Sequence, residues 1–166
     1  MSKKFIVILL GIMLCLCLAF CACKNSAGGG NGDSTDNSQQ ETGGENGEVT
    51  QMYIYVNDNK LEVKLENNST VDELVALLKQ GNITYTANAN NFEIYGDIGH
   101  SLTTNNTQIT SEVGDVLLWA GSNICIFFGH NSYSYTRIGK IEGYTADTLR
   151  AILAKTSTVQ VTIGLE

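Results

Sequence analysis

The chain has 166 residues, a formal charge of −7, no proline, 17 glycines and five cysteines. That length holds one ordinary domain plus an extra segment, and the acidic balance disfavours nucleic acid, whose binding needs clustered Lys and Arg to displace counterions. Cys15, Cys17, Cys21 and Cys23 all sit near the N-terminus and only Cys125 lies beyond, which excludes a disulfide framework in the remainder.

Lys3 and Lys4 precede an uncharged run from Phe5 to Cys23, the positive n-region and apolar h-region of a secretory signal peptide. At nineteen residues the run also reaches the lower limit of the roughly 17 to 25 needed to span a membrane. The next segment is a polar low-complexity stretch and not a stop-transfer cluster of Lys and Arg, which favours the signal peptide. Phe20-Cys21-Ala22-Cys23-Lys24 resembles a bacterial lipoprotein lipobox, in which a small residue precedes the cysteine that receives the lipid. Cys23, preceded by Ala22, is the expected attachment residue. Cys21 has the better Leu18-Ala19 upstream but bulky Phe20 at the position that should be small. The expectation is a chain anchored through lipid on the outer face of the bacterial cytoplasmic membrane, with its domain extracellular. Loss of Lys3 and Lys4 with the leader takes the charge from −7 to −9.

Residues 24–50 are Gly, Asn, Ser, Asp, Glu, Gln and Thr with almost nothing to bury, so they are expected to form a disordered tether. A random coil of this length reaches about 25 to 30 Å. Its expected use is to hold the domain clear of anionic lipid that would repel it, with no contribution to stability. Gly28-Gly29-Gly30-Asn31-Gly32 has no strand before it, no helix after it and no Lys, so it is not a phosphate loop.

A domain over residues 51–166 begins with period-two alternation. Met52–Val56 and Leu61–Leu65 flank Asn57-Asp58-Asn59-Lys60, the pattern of a β-hairpin. A helix signal comes next: Thr70 with Glu73 three residues on reads as a capping box, Val71, Leu74, Val75 and Leu78 share one face, and Gly81 can close the end. Further strands are predicted at Ile83–Thr86, Phe92–Tyr95, Gln108–Thr110, Val116–Ala120, Ile124–Phe128, Arg137–Glu142 and Val159–Leu165. A second short helix, capped by Thr145 with Leu149, Ile152 and Leu153 inward, falls between the last two. Gly114-Asp115 reads as a turn entering a strand and Gly121-Ser122 as a tight hairpin turn. Around eight short strands and two helices suit a mainly β fold, a closed antiparallel barrel with the helices over its two ends, since closure removes edges that invite aggregation. A β-sandwich is the alternative that periodicity leaves open.

Phe92-Glu93-Ile94-Tyr95, Val113-Gly114-Asp115-Val116, Trp119, Gly121 and Ile124-Cys125-Ile126-Phe127-Phe128-Gly129 resemble the signature of the bacterial cyclophilin-like domain families of uncharacterised function. Ser132-Tyr133-Ser134-Tyr135-Thr136-Arg137-Ile138-Gly139-Lys140-Ile141 is similar to the tail motif of one such family, whose members are often small secreted or lipid-anchored proteins. The resemblance covers residues 52–166 and implies an eight-stranded cyclophilin-like barrel. It does not imply cyclophilin's activity, because fold and function separate readily. True cyclophilins turn a prolyl peptide bond with an arginine in a Phe-His-Arg segment and a later Gln-Gly-Gly-Asp stretch, and neither string occurs here. Arg137 and Arg150 are the only arginines, and Arg137 belongs to the tail motif, so no catalytic residue is carried over.

The aromatic residues are the strongest binding cue. Phe127 and Phe128 point to opposite faces of one strand, so one should be interior and the other should cover an outer face against a helix. Tyr133 and Tyr135 share a side if the backbone stays extended, giving an aromatic wall with hydroxyl tips suited to a peptide or flat ligand. Glu93 beside Tyr95 reads either as a polar anchor in an apolar cleft or as a solvated strand residue. Cys125, inside Ile-Cys-Ile-Phe-Phe, reads as an inert core residue. His100 and His130 have no third ligand in a recognised pattern, so no metal site is expected, and no cofactor either. The candidate ligand-binding set is Glu93, Tyr95, Trp119, Tyr133, Tyr135 and Arg137. The main functional expectation is a non-enzymatic module that binds a peptide or small molecule outside the cell. A peptidyl-prolyl isomerase and a structural envelope component are the alternatives.

Overall fold

A computed structural model describes residues 48–166. The expected signal peptide, the candidate lipidation cysteines Cys21 and Cys23 and most of the expected tether therefore lie outside the described residues. Packing begins slightly ahead of residue 51: Val49 lies against the core and Leu65 N–H donates to Thr50 O at 2.8 Å.

β1 (Gln51–Val56) and β2 (Asn59–Leu65) form the expected hairpin. Its turn is tighter than the four residues read from sequence, because Asn57 and Asp58 both take positive φ (47° and 63°), the geometry of a two-residue primed turn. α1 (Ser69–Leu78) starts earlier than expected. Asn68, not Thr70, is the cap: its Oδ1 accepts from Val71 N–H at 3.1 Å. Asn caps as well as Thr, so the helix start moves upstream and Thr70 and Glu73 are left to hold a loop. Thr70 donates to Thr103 O at 2.7 Å, and Glu73 accepts from Thr103 N–H and Oγ1 at 2.7 and 2.6 Å.

The remaining elements are β3 (Ile83–Ala89), β4 (Glu93–Asp97), β5 (Thr107–Thr110), β6 (Asp115–Trp119), β7 (Asn123–Phe127), β8 (Ser132–Lys140), α2 (Ala146–Leu153) and β9 (Thr158–Gly164). β8 is longer than the predicted Arg137–Glu142 and starts at Ser132. Thr145 caps α2 in a reciprocal box with Thr148. Leu149 and Leu153 are fully buried there, whereas Ile152 is only half-buried.

Eight strands close into a ring in the order β2-β1-β9-β3-β4-β7-β6-β8, all antiparallel, and the β2–β8 pairing completes it. A single sheet that meets itself is a barrel, so the sandwich alternative falls away. At the seam Leu65 pairs with Gly139, where a Cβ would collide with Lys64 O; the missing side chain lets the two strands meet. β5 is a ninth strand outside the ring, paired with the first half of β8.

The interior is filled by alternate residues of each strand, among them Ile54, Val63, Ile94, Ile126, Ile138 and Val161. Both helices add to this core, α1 through Leu74 and Leu78, α2 through Leu149 and Leu153. They sit at opposite ends. α1 comes after the open end of the β1–β2 hairpin, whereas the turn of that hairpin meets α2, Asn57 Nδ2 donating to Ile152 O at 2.8 Å.

Candidate functional site

A second buried cluster lies on the outside of the barrel wall, where Leu117, Cys125, Phe127, Tyr135 and Ile109 pack together. Phe127 and Phe128 do take opposite faces of the chain, but no helix covers the outer ring. Phe128 is interior, with the Arg150 guanidinium 4.9 Å from its ring centroid. Phe127 is covered by Phe92, stacked at 6.3 Å, by Tyr135 at 5.6 Å, and by the β5 residue Ile109. The added strand β5 thus does the job assigned to a helix.

Beside this cluster opens a cleft of about 290 Å³. Glu93, Tyr95, Trp119, Tyr133 and Tyr135 line it, together with Asn90, Asn131 and Cys125. Strand parity explains the gathering: Glu93 and Tyr95 alternate with interior Ile94 on β4, and Cys125 alternates with interior Ile124 and Ile126 on β7. Tyr95 and Cys125 are direct cross-strand partners, and Leu117 continues that row on β6. The rings cross steeply, Tyr95 against Trp119 at 86° and 6.2 Å, Tyr133 against Tyr135 at 62° and 5.8 Å.

The tyrosine pair is unequal. Tyr135 is buried, and its hydroxyl accepts from Asn131 Nδ2 at 2.8 Å. Tyr133 and Trp119 remain 53% and 38% exposed, so they form the accessible part of the wall. Arg137 does not join them. It lies on the same outer face, opposite Leu117, but its Nη1 sits 3.9 Å from Asp115 Oδ1, and it is not among the lining residues. Asp115 is buried and also accepts from Lys140 Nζ at 2.7 Å, so this ion pair belongs to the β6–β8 strand pair and not to the cleft.

Glu93 is not a solvated strand residue. It is 7% exposed, held by Asn90, whose Oδ1 accepts from the Phe92 and Glu93 N–H groups at 2.9 Å and whose Nδ2 donates to Glu93 Oε1 at 3.1 Å. Oε2 has no hydrogen-bond partner among the described residues. Burial pushes the carboxyl above the usual carboxylate range, against the opposing pull of Asn90 and Cys125. Burial likewise pushes the Cys125 thiol up, with the Glu93 charge adding to it. Cys125 is therefore a protonated, unreactive thiol, as its apolar neighbours implied, but it lines the cleft floor instead of the barrel interior. Tyr135 is raised by burial too. Asn90 and Asn131 carry no sequence signal of a site, because both lie in polar stretches with no spacing that marks one. Among the described residues no group of three His, Cys, Asp or Glu comes together as a metal site, and His130 is occupied by Ser111 O at 2.8 Å.

Eight antiparallel strands closed on themselves, with a helix at each end and an aromatic cleft on the outer wall, define a cyclophilin-like barrel. The chain belongs to the Cyclophilin-like family, whose pattern matches residues 54–164. Among solved structures it is similar to the solution structure of the hypothetical protein AF2241 from Archaeoglobus fulgidus. That likeness has a TM-score of 0.53 at 23% identity, over 74% of this chain and 99% of the other, and it shows the fold alone. No curated protein matches the chain.

Proposed function

We propose that this is a lipid-anchored protein of the bacterial cell surface whose cyclophilin-like domain is a non-enzymatic binding module for a peptide side chain or small ligand. The observation that carries it is the pairing of exposed Trp119 and Tyr133 with buried Glu93 around one cleft. Small-ligand clefts combine wide apolar area with a few placed polar groups in this way. Catalysis has less support, since the cleft holds no arginine and its thiol is protonated.

The test is a library of short peptides and small fragments screened against the full chain by ligand-observed NMR. Hits should disappear in Trp119→Ala and Tyr133→Ala and persist in Tyr144→Ala, an exposed aromatic that does not line the cleft. Hits indifferent to all three variants, or none at all, would sink the reading. Accelerated prolyl isomerisation that these cleft variants abolish would move the domain to the isomerase class.

A further inference from the structure

Resting on the binding-module reading, we propose that the cleft takes a protonated primary or secondary amine, its alkyl stem among the rings of Tyr95, Trp119 and Tyr133 and an ammonium N–H donated to Glu93 Oε2. The starting point is that unpaired oxygen. Buried carboxylate oxygens are nearly always hydrogen-bonded, and one that is not marks a place where a partner is missing. Glu93 is more than nine-tenths buried and lines the cleft. Its Oε1 is occupied by Asn90, and the Cys125 thiol, a weak donor, is the other group that lowers its pKa, which leaves Oε2 with no partner at hydrogen-bond geometry.

The lining chooses the sign of the guest. It contains one carboxyl and no Lys, Arg or His, so an anion would meet repulsion and a cation an unscreened counter-charge. The rings add to this, because a cation over an aromatic face is attracted by its quadrupole. A crossed pair uses only one ring face, which leaves the others for a guest. Oε2 asks for a hydrogen-bond donor, which a quaternary ammonium lacks. Size adds a further limit: about 290 Å³ lies at the small end of ligand pockets, enough for a head group or one side chain. Oε2 has almost no exposed surface, so entry of a guest needs a side chain to turn. Tyr133, the most exposed ring of the lining, has that freedom. Burial, which raises the Glu93 pKa, is offset once an ammonium sits beside the carboxylate. The titratable groups that share this balance are Cys125 on β7 and Tyr135 on β8, and Tyr95 and Tyr133 complete the titratable lining of the cleft.

An alkylammonium head can arrive as a free amine or as a lysine side chain. The experiment titrates the full chain near neutral pH with n-butylammonium, 1-butanol and Nα-acetyl-lysine N-methylamide. Binding is followed by the fluorescence of Trp119, the chain's single tryptophan. Butylammonium should saturate at least roughly tenfold more tightly than butanol, and Glu93→Gln should erase that difference, as expected for loss of a charged hydrogen bond. The ratio of the two probes is measured on the unaltered chain, so it stands even if the variant folds poorly. A lysine diamide that binds more tightly than butylammonium assigns the guest to a peptide; weaker binding assigns it to a free amine. Butanol and butylammonium binding equally, with both lost in Tyr133→Ala, would overturn the amine inference and leave the binding module standing. No saturable response to any probe, or one that Tyr133→Ala does not change, would overturn both.

Discussion

Tyr133 and Tyr135 lie two residues apart on one face of β8, yet their surroundings separate them. Tyr135 fills the outer cluster against Phe127, with its hydroxyl tied to Asn131, whereas Tyr133 stands 53% exposed. Emptying a buried aromatic position costs about 3 to 5 kcal/mol. Removal of an exposed ring stays within about 0.5 kcal/mol. Urea unfolding should therefore show Tyr135→Ala strongly destabilised and Tyr133→Ala nearly unchanged, which makes Tyr133 and not Tyr135 the clean probe of binding. Equal losses would place Tyr133 in the packing as well.

Glu93 leads to a pH dependence whose sign is set by its burial. Its folded pKa is raised above the roughly 4.3 of an exposed glutamate. The folded chain then holds this proton more tightly than the unfolded one, so the contribution is complete below the unfolded value and is lost as pH rises through the folded one. Glu93→Gln carries no charge at any pH. Its stability relative to the unaltered chain should increase as pH rises above the unfolded glutamate value and level off once the folded one is passed, measured by denaturant melts at successive pH values. A difference that stays flat with pH would show that the buried carboxylate is fully compensated in the folded state. A residue that weakens its own fold at neutral pH, placed in a cleft, is what a ligand-facing group looks like.

Among the elements, the start of α1 shows how a local rule can be satisfied in two ways. Thr70 and Glu73 have the spacing of a capping box, but Asn68 reaches Val71 N–H first and the helix begins there. The displaced pair then pins the loop through Thr103. Asn68→Ala should cost about 1 kcal/mol of stability, the usual worth of a cap, read from the shift in a chemical denaturation midpoint. Asn68 Nδ2 also donates to Arg137 O at 2.9 Å, so Asn68→Asp, which keeps the capping oxygen, should retain most of that stability; a loss as large as that of Asn68→Ala would mean that the cap is not what the substitution removes. β8 divides its pairing in a similar way, β5 taking Ser132–Tyr135 and β6 taking Thr136–Lys140. Its first half therefore carries the tyrosines beside the cleft, while its second half closes the barrel.

At the scale of the whole molecule, the barrel's interior is packed with apolar side chains and both helices add to it, so the aromatic cleft opens on the outer wall and not inside the ring. A domain of this acidity suits a place held off an anionic surface, and the proposed lipid anchor at Cys23 would hold it there. Replacing Cys23 with Ala should block incorporation of labelled fatty acid and leave the chain unprocessed or released. Labelling that persists in Cys23→Ala and is lost in Cys21→Ala would move the anchor by two residues.

Features that depend on neighbours along the chain were legible in the sequence: the β1–β2 hairpin, the second helix with its Thr145 cap, the alternation that puts Tyr133 and Tyr135 on one side, and a barrel-like strand count. Each rests on a period of two or 3.6, or on a turn residue, and so on contacts within a few positions. Tertiary structure alone decided that Tyr135 is packing and Tyr133 is surface, that Arg137 turns to Asp115 and leaves the cleft, and that β5 covers Phe127. The same holds for Glu93. Asn90 holds it locally, but Cys125 on β7 and Tyr135 on β8 come to it from distant parts of the chain through the ring order of strands. Parity chooses the face of a strand on which a side chain stands. The groups opposite that face depend on which strands pair, and pairing between distant segments is a property of the closed barrel as a whole.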